Sequence, residues 1–224
     1  MNKKICFVIL ALLGAFSVNA QTQKGNQLLG GTIYLSTIKN TNDYYSNPFY
    51  SYSASNTSRT NALGIGPTYS YFIANNLDLG ATVGYSTVKT TYTFLLGNVN
   101  NQPSEIKTNA YSASVFLRKY YLYNNKIGIR TGPFAQYSQA KTREKYDRPV
   151  DTNGNYTNKE FSAGLGLDVV FFPTKHLGFA TRIGSLSYSH GKREQYNAQY
   201  KDDRFSLDLA TSGLTLSAFY AFGK

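Results

Sequence analysis

Cysteine is almost missing from this chain. Its 224 residues contain one, Cys6, inside an N-terminal stretch that reads as a secretory signal, so the mature protein must be held together without disulfides. Tryptophan is absent and histidine occurs twice, which argues against a transition-metal site, since such sites draw on imidazole and thiolate ligands. Neither a metal nor a cofactor is expected. Beyond the N-terminal stretch no run approaches 18 continuous apolar residues, so no transmembrane helix is expected. Apolar residues at helical spacing are lacking as well, and so are the glycine fingerprints of phosphate and dinucleotide sites. These absences leave an all-β chain.

Residues 1–20 carry the parts of a cleavable signal: Lys3 and Lys4, an apolar core over 5–16, and Val18-Asn19-Ala20 before Gln21. The apolar core is too short to cross about 30 Å of hydrocarbon. Residues 21–224 then form one domain, with no linker or second composition regime. The formal net charge is +11 and falls by two with the loss of Lys3 and Lys4. For an exported strand protein this points to anionic lipid headgroups or lipopolysaccharide phosphates, or to solubilising loops, rather than to nucleic acid. Tyrosine, at 20 residues, dominates the aromatics; its apolar ring and polar tip suit a membrane–water boundary.

The strongest pattern is a two-residue alternation. Leu63-Gly64-Ile65-Gly66-Pro67-Thr68-Tyr69 and Leu77-Asp78-Leu79-Gly80-Ala81-Thr82-Val83 each put large apolar groups on one face and small, polar or charged ones on the other. Eight such strands are expected, near 27–38, 59–73, 77–94, 106–123, 126–146, 156–172, 177–191 and 203–222. Short turns at 74–76, 124–125 and 173–176 alternate with longer polar loops. Outer-membrane barrels sort their connections in this way, and a soluble sandwich has no reason to. Parity breaks predict bulges at Gly184-Ser185 and within 210–213.

Three stretches carry a family resemblance: Val115-Phe116-Leu117-Arg118-Lys119-Tyr120-Tyr121, Gly66-Pro67-Thr68-Tyr69-Ser70-Tyr71-Phe72 and Ala218-Phe219-Tyr220-Ala221-Phe222. With them the chain resembles, over about residues 25–224, the outer membrane β-barrel domain family, whose small members include OmpA-, OmpX- and OmpW-like proteins. The resemblance implies an eight-stranded up-and-down antiparallel transmembrane barrel in the outer membrane. It also implies recognition by the barrel-assembly machinery through Tyr220 and Phe222, although Gly223-Lys224 follow where the family's signal usually ends. For function it spans anchors, adhesion factors and small pores.

If the greasy face meets lipid, parity turns Arg118, Arg130, Asp168 and Arg182 into the lumen, in the half nearer the short turns, with Asp78 closer to the rim. A charge on the lipid face would cost about 2–4 kcal/mol at the midplane. Such a belt can be a salt-bridged plug or the selectivity belt of a narrow pore. Tyr120, Phe116, Phe134 and Phe172 are placed to cover the guanidinium faces. Lys141, Arg143, Lys145, Arg148, Lys192, Arg193, Lys201 and Arg204, near the long loops, are candidates for lipopolysaccharide contacts. The tyrosines around Asn47-Pro48 suit an extracellular ligand or host surface. An outer-leaflet enzyme would need His190 with Ser189, Asp202 or Asp203, a weak basis for catalysis. The expectation is a non-enzymatic barrel, with a narrow channel as the alternative.

Overall fold

The computed structural model describes residues 22–45, 53–95, 104–146, 154–195, 198–209 and 216–223. It contains β1 (Gln27–Tyr45), β2 (Ser53–Ala74), β3 (Leu77–Leu95), β4 (Glu105–Tyr123), β5 (Ile127–Lys145), β6 (Tyr156–Phe171), β7 (Leu177–Gln195), β8 (Ala198–Leu209) and β9 (Leu216–Phe222). Each pairs antiparallel with its sequence neighbour from β1 to β8. Both β8 and β9 lie against β7, on its outer and lower stretches respectively, and so share one place in the wall. β9 also pairs with β1, over 217–222 and 27–32, which closes the ring. The fold is an eight-stranded up-and-down antiparallel barrel, the eighth strand read in two segments. Among the described residues β8 pairs with β7 alone.

Several strands outrun their expected ends, while β5 and β6 stop about one residue short of theirs. β1, for example, reaches Tyr45 and β2 starts at Ser53. One bulge is displaced by a residue from its expected site. Leu167 faces Gly184 while Asp168 faces Arg182, so the extra residue on β7 is Ile183. The break expected within 210–213, like residues 1–20 and Asn47-Pro48, lies outside the described residues.

Which way the apolar face points decides the class of the molecule. Val83 is 63% exposed, Leu165 51% and Leu207 63%. A soluble sheet would have packed these side chains into its core. On the inner face Ser70, Asp78 and Phe72 are wholly buried. Exposed tyrosines bracket the band, Tyr121 below and Tyr111 above on β4. Ten residues at about 3.3 Å each, tilted by about 40°, give a band roughly 25 Å tall, which is the height of a barrel's lipid-facing belt.

The interior core sits at the short-turn end, where Leu28, Phe72, Tyr120, Val170, Phe172 and Phe219 pack together. Left-handed Asn76, Asn124 and Asn125 make two of the turns there. Thr22 and Gly25 hydrogen-bond onto Asn76 and Phe72 across the same end. His176 in the third turn bonds the Ala221 carbonyl through Nδ1, at 3.0 Å, and stacks on Tyr220. Glycine is required at Gly178 because the Phe219 ring lies where its Cβ would be. Replacing Gly178 with valine should displace that ring and cost about 1–3 kcal/mol, the usual penalty for overpacking. The check is the urea midpoint for loss of the compact, fast-migrating barrel band on gels.

Candidate functional site: the charged lumen

The lumen holds one continuous network contributed by six strands. Asp78, on β3, directly faces Arg118 on β4, so one cross-strand pair brings both charges together. Arg118 donates from Nε to Oδ1 at 3.1 Å and from a terminal nitrogen to Oδ2 at 2.6 Å. Ser70 and Tyr120 donate to the same Oδ2, at 2.8 and 3.0 Å. The Tyr120 hydroxyl in turn accepts from Arg130 at 3.2 Å. Arg130 also donates from Nε to Asp168 Oδ2 at 2.8 Å. Arg182 donates from Nε to Asp168 Oδ1 at 3.1 Å. The chain of contacts therefore runs from Ser70 through both carboxylates to Arg182.

Rings close over the cations. The Arg118 guanidinium lies 3.6 Å from the Phe116 centroid, Arg130 lies 5.5 Å from Phe219, and Arg182 lies 5.6 Å from Phe134. Asp78 joins the belt, but as a fully buried member and not toward the rim. Tyr120 covers Arg130, with the guanidinium 5.9 Å from its ring centroid, and its hydroxyl also joins the two carboxylate clusters. Its inward parity with Arg118 was visible; the register that aims its hydroxyl at Asp78 was not. Phe172 packs into the floor against Phe219 rather than over a guanidinium.

Above the network lies a cavity of about 240 Å³, lined by residues of every strand except β8. Below it lie the packed side chains of the aromatic floor. Arg182 stands at the boundary, its side chain 51% exposed, while Arg130 and Asp168 beside it are at 7% and 6%.

A second constellation faces outward. Lys89, Lys107 and Arg143 are direct partners across β3, β4 and β5. Like charges placed opposite one another repel, so the row calls for an external counter-charge. Lys141 and Lys145 flank it on β5, and Lys39 faces Arg59 on β1 and β2. Glu105 bonds Lys89 at 2.9 Å, and Glu194 accepts from Lys159 and Lys192. Hydrogen bonding to Lys89 holds the Glu105 carboxyl below its ordinary value, and bonds from Lys159 and then Lys192 do the same for Glu194. Their stabilisation is present above the ordinary carboxylate pKa and fades as pH falls through the depressed one.

Not all the expected basic contacts lie on this face. Lys192 and Lys201 are partners on the outward side. Arg193 and Arg204 have the opposite parity and point inward: Arg193 bonds Asn158 and covers Tyr156, and Arg204 pairs with Asp202. They sit within extended strands, not loops, so alternate residues face opposite sides. Arg148 lies outside the described residues. His190 bonds Asp203 at 2.8 Å on the outward face, where Tyr188 also bonds Asp203. Ser189 has the opposite parity, so no Ser–His pair is built there.

The network predicts a steep asymmetry between two conservative changes. Asp168→Asn strands the buried Arg130 and should cost about 3–5 kcal/mol. Glu194→Gln removes a solvent-screened partner and should leave the midpoint nearly unchanged. Unfolding midpoints of the two variants in one detergent check this.

No family model matches the sequence, and no curated protein does. Among solved structures the fold is similar to Ail, the attachment invasion locus protein of Yersinia pestis, at 13% identity over 89% of this chain and 100% of that one, with a TM-score of 0.37. It is also similar to the outer membrane protein OprG from Pseudomonas aeruginosa, at 12% identity over 92% of this chain and 100% of that one, with a TM-score of 0.47.

Proposed function

We propose that this chain is a non-enzymatic integral outer-membrane barrel whose lumen is plugged by its own side chains, and whose role is structural or in surface interaction. In this reading residues 1–20 are the signal and 21–224 the barrel domain. The observation that carries it is the pairing of a bare apolar band about 25 Å tall with a charged interior. A water-soluble barrel has no use for the first, and an open pore would hydrate the second.

The buried Arg118–Asp78 and Arg130–Asp168 pairs, at 2.6 and 2.8 Å, support closure, as does the aromatic floor beneath them. The tyrosine belt supports a fixed height in the bilayer. The Lys89–Lys107–Arg143 row, directly above Tyr85 and Tyr111, supports contacts with phosphates of anionic lipid or lipopolysaccharide. Outward exposure of Tyr220 and Phe222 on β9 supports their recognition by the assembly machinery.

Two measurements test the reading. Purified protein in planar bilayers should give no stable ionic steps; regular steps would overturn the plug in favour of a narrow channel. A Lys107→Glu, Arg143→Glu double variant should retain less than half the lipopolysaccharide phosphate that co-purifies with the natural chain. Equal retention would remove the lipid contact.

A further inference from the structure

We propose that the part of the lumen above the plug is a binding cup for a small oxyanion, a carboxylate or phosphate group, held by Arg182. The inference rests on the plugged reading, since only a closed floor makes the cavity a cup. Charge counting begins it. The network contains three guanidinium groups and two carboxylates. Arg118 takes both oxygens of Asp78, while Arg130 and Arg182 divide those of Asp168. One positive charge is left over, in a wall where an unbalanced charge is costly.

Geometry places that excess at Arg182. Its side chain is half exposed, and among the described residues Nε alone is committed, to Asp168. Phe134 supports the guanidinium plane at 5.6 Å. The missing side chain of Gly166 leaves it room: a Cβ there would lie 3.4 Å from a terminal nitrogen. A guanidinium with its terminal nitrogens uncommitted is a fork suited to carboxylate or phosphate.

The rest of the cup agrees. Ser114 and Gln136 line it with a hydroxyl and an amide, Thr82 and Ser217 line it with hydroxyls that also bond Thr68 and Thr32, and Asp168 is the one carboxylate among its described lining residues. About 240 Å³ accepts a small anion and its waters, and is smaller than the roughly 300–1,000 Å³ of drug-sized sites.

The absence of tryptophan provides the test. Phe134→Trp puts a single indole beside Arg182 in the full chain, refolded in neutral detergent. Titration with acetate, inorganic phosphate and methylammonium at constant ionic strength should give a saturable emission change with one or both anions and none with the cation. The two anions distinguish carboxylate from phosphate preference. Arg182→Gln should weaken binding at least tenfold, and Arg182→Lys should restore part of it. Calorimetry on the chain with Phe134 intact must give the same anion preference. No saturable response in either measurement, or one unchanged by Arg182→Gln, overturns the cup. Conductance of the same preparations separates the two readings. A silent barrel without binding loses only the cup; a conducting barrel loses the plug.

Discussion

Eight antiparallel strands closed on themselves leave an interior only as wide as the side chains that fill it. The wall offers alternate residues to two different surroundings, so every choice on one face constrains the other. Here the outer face holds the bulk, in residues such as Leu79, Val83 and Leu165, and the inner face is thinned by glycine and serine until two carboxylates and three arginines fit. Phe219 lies against Gly178, and Phe116 against Gly80, because those positions have no side chain of their own. Charge inside and hydrocarbon outside are thus two results of one packing problem.

Much of this was legible before any coordinates. The period of two gave the wall, the short turns at 74–76, 124–125 and 173–176 marked one end of it, and parity alone turned Arg118, Arg130, Asp168 and Arg182 inward. What parity lacks is register. It says which side a residue takes and not which residue it meets, so Asp78 is expected in the belt but nearer the rim, although it faces Arg118 directly. The same gap hid Tyr120 as the bridge and Phe72 and Phe219 as the floor. Arg193 was misplaced for another reason: polar composition resembles a loop, and β7 in fact extends through it, while Arg204, within the expected eighth strand, takes the inward parity of its partner Ser189.

The outer rim makes the point about composition from the other direction. Counting basic residues near the loops found Arg143 but passed over Lys89 and Lys107, which stand within strands. Only alignment across three strands turns scattered cations into a row. Glu105 and Glu194 show what local neutralisation looks like at this rim, and the row's remaining charge stands out against them.

The closing pair, β1 with β9, joins the two ends of the domain over six rungs from Gln27–Phe222 to Thr32–Ser217. Every other adjacent pair in the wall is a hairpin or near-hairpin that can form from neighbouring sequence. This one has to wait for the whole chain, since loop-closure entropy is recovered only after all intervening strands are registered. Closure of the ring therefore depends on the pairing of 217–222 with 27–32, and the His176 latch on Ala221 and Tyr220 lies beside that seam.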